Sequence, residues 1–221
     1  MRIGIIGIGA IGKELCRAID AGTVNAELTA IYDRDEAMAR NFASELGSRP
    51  EVLKLDQMLE AVDLVVEAAS QAAVREVAIP TLEKGRSVMI MSTGALLDEK
   101  LFLEMKKLAE QNNCRVYIPS GAILGIDGLR AASIAGIERV TLTVTKPPIA
   151  LEDAPFVKEK AMDLRKIKKA ATLFDGQARD AVRLFPANVN VAATLSLIAP
   201  GAEHRVRIVA DPAIKRNMHM I

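Results

Sequence analysis

The chain has 221 residues and a mass of 23.8 kDa, enough for one large domain or two small ones. Its 29 Lys and Arg residues almost balance its 28 Asp and Glu residues, so no basic excess exists that would bind nucleic acid or an anionic membrane surface. Half of the residues are hydrophobic and 26% are charged, a balance that excludes a wholly disordered chain. With 3% aromatic residues and no Trp, the core must be built from Ile, Leu, Val, Ala and Met.

The composition and the N-terminal residues favour a cytoplasmic location. No apolar run approaches the roughly 20 residues of a membrane span, and residues 1–7 lack the long apolar block of a signal peptide. Cys16 and Cys114 lie far apart and indicate neither a disulfide nor a metal framework. We therefore expect a cytoplasmic protein with no bound metal and no membrane or nucleic-acid partner.

The first motif is a strand, a glycine cluster and a helix. Arg2 to Ile6 is typical of a short buried strand, and the sequence GIGAIG follows at residues 7–12. In a GxGxxG motif, Gly7 permits the tight turn, Gly9 lets the backbone approach a pyrophosphate, and Gly12 lets the helix pack close to the strand. The N–H groups at the helix N-terminus, around Ala10 and Ile11, would then face the phosphates.

An acidic residue follows at the expected distance. A second strand, Glu27 to Tyr32, leads to Asp33, which comes 21 residues after Gly12 and could accept hydrogen bonds from ribose hydroxyls. Arg34 could instead neutralise a 2′-phosphate, so NAD and NADP both remain open. Asp33 could also serve as the N-cap of a helix over residues 36–46.

The alternation of strands and helices continues to Pro119. Near-continuous apolar strands are predicted at residues 63–68, 87–91 and 115–118, with helices capped by Ser70 and Asp98 between them. This pattern specifies a doubly wound parallel sheet of the Rossmann type over residues 1–120. The loops at the carboxyl ends of its strands, around Ala69, Thr93 and Ala122, are small and polar, as expected near a flat ligand.

The second half has a different pattern. Residues 138–146 alternate with period two, which predicts a half-buried strand in an open-faced sheet, and residues 203–210 alternate again. A helix is predicted over residues 175–185, another after Pro186 with Asn188 as its cap, and a final strand toward Met220. Residues 121–221 thus form a smaller α/β domain with a mixed sheet.

Two histidines are the candidates for proton transfer near neutral pH. His204 shares its parity with Val206 and Ile208, which favours a structural place on the buried face. His219 lies in a polar stretch, and its spacing alone places it only modestly ahead of His204 as the proton carrier.

Several motifs together resemble one enzyme family. The chain resembles the L-aspartate dehydrogenases from Met1 to Ile221, in the motifs GIGAIG (7–12), EAASQ (67–71), STGA (92–95), PSGAI (119–123) with GID (125–127), PANVNVAAT (186–194) and DP (211–212) through NMH (217–219).

The resemblance implies an activity and a set of site residues. Members of the family oxidise L-aspartate to iminoaspartate with NAD or NADP, as a step toward quinolinate and NAD biosynthesis. The reverse reaction joins oxaloacetate and ammonia. The family's catalytic histidine corresponds to His219, and the family is homodimeric. Residue patterns and resemblance together predict a cofactor site formed by Gly7, Gly9, Ala10, Ile11, Gly12, Asp33, Arg34, Ala69, Ser70, Thr93, Ala122, Asn188 and Asn190.

Two alternatives remain at this stage. One is an enzyme with another substrate, since a similar layout serves homoserine dehydrogenase and dihydrodipicolinate reductase. The other is a nucleotide-binding sensor without catalysis. The family usually continues for a few dozen residues beyond the histidine, so we expect that the second domain here lacks a C-terminal segment. The residue that would bind the substrate carboxylates is not indicated by any motif.

Overall fold

A computed structural model describes residues 1–185 and 189–221, and the chain divides into two compact units, Met1–Pro119 and Ser120–Ile221. The N-terminal unit contains a six-stranded sheet with helices between its strands, and the C-terminal unit contains a four-stranded mixed sheet. The predicted fold class, a Rossmann-type parallel sheet followed by a smaller mixed α/β unit, is confirmed. Among the residues that the structure describes, no helix combines the length and the hydrophobicity of a transmembrane span.

All neighbouring strands of the N-terminal sheet are parallel. The strands are β1 (Arg2–Ile6), β2 (Glu27–Tyr32), β3 (Glu51–Val52), β4 (Leu64–Glu67), β5 (Ser87–Ile90) and β6 (Val116–Tyr117), in the order β3-β2-β1-β4-β5-β6. The chain moves outward from β1 to β3 and then crosses back to β4 on the other side of β1. A crevice therefore opens at the carboxyl ends of β1 and β4, where doubly wound sheets bind ligands.

The connections between these strands are helices with one apolar face. They are α1 (Ala10–Asp20), α2 (Glu36–Glu45), α3 (Leu55–Ala61), α4 (Gln71–Glu83) and α5 (Glu99–Gln111), with a 3-10 turn at Thr93–Leu97. In α5 the buried residues Leu101, Met105 and Ala109 recur every four positions, and the Asp98 carboxylate caps the helix by accepting from the N–H groups of Lys100 and Leu101. The core of this unit is almost entirely aliphatic, as its composition predicts.

The C-terminal unit packs helices against one sheet. Its strands are β7 (Arg139–Lys146), β8 (Ala171–Gln177), β9 (Glu203–Ala210) and β10 (Met218–Met220), in the order β10-β7-β9-β8. Its helices are α6 (Ile126–Ala135), α7 (Pro155–Glu159), α8 (Ala178–Leu184) and α9 (Val189–Ile198). Strands β7 and β9 are parallel, whereas β10 and β8 run antiparallel to their neighbours. Alternate residues of β7 and β9, from Val140 and Val206 onward, face the core of the unit.

Strand β8 corrects one prediction. Asp175 to Gln177 were expected to begin a helix, but they end this strand, and the helix α8 begins only at Ala178. The reason is a pair of cross-strand contacts with β9, because the Asp175 carboxylate accepts from both Arg205 and Arg207 at 2.8 Å. These partners lie about 30 residues away in sequence and leave no local signal.

Candidate active site

The loop after β1 has a shape that only glycine permits. Gly7 has φ +95°, and a Cβ there would lie 2.5 Å from Ala69 Cα. A Cβ on Gly12 would lie 1.9 Å from the Gly7 carbonyl oxygen, so glycine is what lets α1 approach the strand this closely. Because neither glycine has a Cβ, β1, α1 and the end of β4 can lie close together at the crevice.

Gly9 has a different environment from these two glycines. A Cβ built on it meets no atom of the described chain within 4 Å, although its backbone conformation is ordinary. It precedes α1, whose first turn contains no acidic residue and no capping side chain. Ala10 and Ile11 form the start of this helix, where the partial positive charge lies. The open space beside Gly9 and the uncapped N-terminus fit the close approach of a pyrophosphate.

Asp33 ties the end of β2 to this loop. Its Oδ2 accepts from the Ile8 N–H at 2.7 Å, and its Oδ1 accepts from the Asp35 N–H at 3.0 Å. Asp33 is therefore not the N-cap of α2, because Asp35 occupies that position and accepts from the Met38 N–H. A carboxylate that accepts one hydrogen bond on each oxygen still has lone pairs for ribose hydroxyls.

One cleft of the N-terminal unit brings many of the predicted cofactor residues together. Its volume is about 420 Å³, and its lining includes Gly7, Gly9, Asp33, Arg34, Ala69 and Ser70, together with Tyr32 and Glu76. Thr93 is buried in the 3-10 turn after β5 and is not part of this lining. Ser70 stands at the N-cap of α4, but its hydroxyl does not cap the helix as predicted. The cleft lies where doubly wound sheets bind their ligands, which makes it a candidate nucleotide site.

Glu67 is a buried residue beside this cleft whose structural role no sequence motif predicted. It is the last residue of β4 and is fully buried, yet its carboxylate has four donors. Its Oε1 accepts from the N–H groups of Ala69 and Ser70 and from the Ser92 hydroxyl, all within 3.0 Å, and its Oε2 accepts from the Ser92 N–H at 3.0 Å. The carboxylate thus holds together the loop after β4, a strand whose end borders the crevice, and the loop after its neighbour β5. A carboxylate at the end of an otherwise apolar strand is the signal that could have revealed it.

The C-terminal unit contains both histidines in different settings. His204 Nε2 lies 2.9 Å from the Ala199 carbonyl oxygen. This hydrogen bond is consistent with the structural role that its sequence position suggested. His219 lies in the edge strand β10 opposite Val144 of β7 and is partly buried. Burial, and then the positive charge of Lys146, lower the pKa of His219 below its usual value of 6.5. The imidazole is consequently neutral at physiological pH and able to accept a proton.

The remaining predicted cofactor residues have no common site in the described structure. Ala122 is exposed in the turn before α6. Asn190 is exposed in the first turn of α9, and its carbonyl oxygen accepts from the Thr194 hydroxyl at 2.9 Å. Asn188 lies outside the described residues.

Metal and thiol chemistry have no support in the described ranges, 1–185 and 189–221. They contain no group of three or more His, Cys, Asp or Glu side chains that could hold a metal ion. Both cysteines are free, and burial raises the pKa of the Cys16 thiol to about 12, so that this thiol is not a nucleophile at neutral pH.

Comparisons with known proteins match the two units, Met1–Pro119 and Ser120–Ile221, to two separate family models. Residues 7–119 match the family model described as "Homoserine dehydrogenase, NAD binding domain", and residues 127–221 match "Aspartate dehydrogenase, C-terminal". The L-aspartate dehydrogenase of Methanocella arvoryzae is 53% identical over the whole chain, which covers 82% of that relative, and that of Methanosarcina acetivorans is 49% identical with the same coverage. The crystal structure of an aspartate dehydrogenase from Thermotoga maritima superposes with a TM-score of 0.74 at 33% identity, covering 99% of this chain and 82% of that one.

Proposed function

This chain belongs to the L-aspartate dehydrogenase family, and on that premise we propose that it oxidises L-aspartate to iminoaspartate with a pyridine nucleotide. The observation that carries the proposal is the match of residues 127–221 to the C-terminal model of aspartate dehydrogenases, a range that includes His219. The alternative substrate homoserine is supported only by the nucleotide-binding half, a part that many dehydrogenases share. A sensor without catalysis is distinguished by the assay below, because it would bind NADH without turnover.

The N-terminal unit supplies the nucleotide site in this proposal. The loop from Gly7 to Gly12 holds the pyrophosphate, and Asp33 binds the adenosine ribose. The carboxylate of Asp33 favours NAD, because a 2′-phosphate at the same ribose would be repelled, while Arg34 leaves some use of NADP open. A nucleotide bound there would supply the nicotinamide ring as the acceptor for the hydride of the substrate Cα. Thr93, Ala122, Asn188 and Asn190 are proposed to orient that ring.

The C-terminal unit supplies the proton carrier. The α-ammonium of L-aspartate must lose a proton before the C–H bond breaks, and the neutral imidazole of His219 accepts it. The proton leaves to solvent in oxidation, and in reductive amination it returns to the amine nitrogen after hydride has been added to the imine carbon. Hydrolysis of iminoaspartate yields oxaloacetate and ammonia. General base help of this kind accelerates a reaction by roughly 10²–10⁴-fold.

The wider biological role is part of the same proposal. Iminoaspartate is a precursor for quinolinate and hence for NAD biosynthesis, and the unit formed by residues 121–221 serves substrate binding and homodimerisation. The two free cysteines fit a reducing cytoplasm. Sedimentation of the purified protein would test the dimer.

The decisive experiment is a steady-state assay of the purified protein. Oxaloacetate, ammonia and NADH are combined, loss of the reduced nicotinamide is recorded, and the assay is repeated with NADPH. L-aspartate and L-homoserine are then compared in the oxidative direction with NAD. We expect turnover with aspartate and oxaloacetate and a higher kcat/KM with NADH. Turnover with homoserine alone, or tight NADH binding without any turnover, would overturn the proposal.

A further inference from the structure

Two charged side chains are buried among the described residues, and only one of them has hydrogen-bond partners. Glu67 has the four donors described above, whereas Lys146 is 8% exposed and has neither a carboxylate within ion-pair distance nor a hydrogen-bond acceptor in the described parts of the chain. Burial alone lowers the pKa of Lys146. A buried ammonium without a partner is costly, so a side chain kept in this state calls for an explanation.

The position of Lys146 relates it to the proton carrier. It is the last residue of β7 and shares a face with Val140, Leu142 and Val144, because alternate residues of a strand point to the same side. His219 of β10 pairs with Val144 and therefore lies on this face too, one diagonal step from Lys146. The positive charge of Lys146 is close enough to lower the pKa of His219.

No acidic residue of the adjoining strands neutralises this lysine. In β9 its partner is Ala210, and the next residue, Asp211, accepts from the Ala213 N–H at 2.8 Å without forming an ion pair to Lys146. The charged residues of β9, Glu203, Arg205 and Arg207, alternate with the core-facing positions. Both arginines bind Asp175. Glu203 is opposite Arg139 at the far end of β7 and pairs with Arg139 and Arg205. His204, on the core-facing side of β9, is opposite Val140 at the other end of β7.

We propose that the Lys146 ammonium binds a carboxylate of the L-aspartate substrate and thereby holds the substrate amine near His219. This inference rests on the proposed function and adds the carboxylate-binding residue that no motif indicated. A dicarboxylate needs at least one fixed cation, and an unpartnered buried ammonium binds a carboxylate without first breaking another ion pair. Lys146 is the binding group here, and His219 remains the group that moves the proton.

The test uses three variants of the full chain. Lys146→Met keeps the aliphatic stem and removes the charge, and Lys146→Arg keeps a charge with a different shape. Lys169→Met removes an exposed charge of the same unit and is the matched control. For each protein we would measure kcat, KM for L-aspartate, NADH affinity by fluorescence, and the affinity of the NAD-bound protein for malonate, a dicarboxylate that cannot react.

The expected result is a selective loss of carboxylate binding. Lys146→Met should raise KM for L-aspartate and Kd for malonate on the order of 10–100-fold, the range for a lost charged hydrogen bond, with NADH affinity unchanged. Lys146→Arg should recover part of the loss, and Lys169→Met should match the wild type. The melting temperature of Lys146→Met should not fall, because no ion pair is lost.

Two outcomes would overturn this inference. One is an unchanged KM and malonate affinity in Lys146→Met, and the other is a fall in kcat alone, which would place Lys146 in proton transfer. Failure of the proposed function is recognised separately, since it appears as a wild-type protein without aspartate turnover. If Lys146→Met fails to fold, Lys146→Arg decides, because unaltered malonate binding after this change of shape would contradict a direct ammonium–carboxylate contact.

Discussion

The Asp33 carboxylate accepts a hydrogen bond of 2.7 Å from the Ile8 backbone N–H, which joins the end of β2 to the glycine loop after β1. The same side chain lines the cleft in which we place the nucleotide. Asp33 therefore has a part in shaping the loop as well as in recognising ribose. A substitution at this position should affect cofactor affinity and cofactor choice together.

We expect Asp33→Asn to raise KM for NAD by about 10-fold, because a side-chain amide can satisfy only one of the two backbone N–H groups now bound. The preference for NAD over NADP should shrink, since a negative charge is lost while Arg34 remains. The ratio of kcat/KM for the two cofactors measures this. Asp35→Asn is the control, because Asn is an equally good N-cap and Asp35 does not line the cleft. An unaltered ratio in Asp33→Asn would exclude a role in cofactor choice.

The glycine loop offers a matched pair of substitutions. Gly9→Ala places a methyl group in open space, so the free energy of unfolding should change by at most about 1 kcal/mol, whereas NADH affinity should fall at least roughly 10-fold because the backbone can no longer approach the pyrophosphate closely. Gly12→Ala forces a Cβ against the Gly7 carbonyl oxygen and should destabilise the fold by about 1–3 kcal/mol or more.

Urea unfolding and NADH fluorescence titration distinguish the two effects. A stable Gly9→Ala protein that still binds NADH normally would show that the pyrophosphate does not approach this glycine. The two variants together separate what the loop does for folding from what it does for the cofactor.

Segments whose own residues determine their structure could be predicted from the sequence. Strands β1 and β2 have the predicted bounds, because each is an apolar run between clear breaks, and β9 has them because of its alternation. The short elements β3 and α3 were missed, since two to seven residues carry too little periodicity. The last three residues of β8, from Asp175 to Gln177, were mistaken for the start of a helix because the arginines that bind Asp175 belong to β9.

The site residues, too, divide into those that local sequence predicts and those that depend on distant strand pairing. The residues of the glycine loop and Asp33 could be found from spacing, because their chemistry is local. Lys146 could have been recognised from its parity with Val140, Leu142 and Val144, which predicts a buried side chain at position 146. The proximity of Lys146 to His219 could not be predicted from the sequence, because the register of β10 against β7 depends on strand pairing across more than 70 residues.

Glu67 should be sensitive to the loss of its charge. In Glu67→Gln one oxygen remains to accept hydrogen bonds, and the amide N–H₂ group then faces a backbone N–H that the carboxylate now binds, so we expect a loss of about 1–3 kcal/mol in the free energy of unfolding. KM for NAD should rise as well, because Ala69 and Ser70 line the cleft. Glu60→Gln, which breaks an exposed ion pair with Lys84, should cost less than about 1 kcal/mol. Equal losses in the two variants would show that the buried carboxylate does not organise these loops.

The lowered pKa of His219 makes the pH dependence of aspartate oxidation predictable in sign. Burial first, and then the charge of Lys146, favour the neutral imidazole, so His219 stays a base at a lower pH than a free histidine does. The kcat/KM for L-aspartate should be constant toward neutral pH and fall on acidification with a midpoint below 6.5.

Removal of the neighbouring charge should move this midpoint in a defined direction. Lys146→Met removes one of the two causes of the lowered His219 pKa, so the midpoint should shift upward. His219→Asn removes the base itself and should lower kcat roughly 10²–10⁴-fold with unchanged NADH affinity. Rates measured between pH 5 and 8 on the wild type and both variants test this, and the histidine resonances, assigned by comparison with His219→Asn, report the pKa directly. A His219 resonance that titrates above 6.5 in the wild type, or a midpoint that moves downward in Lys146→Met, would contradict the assigned relation between the two side chains.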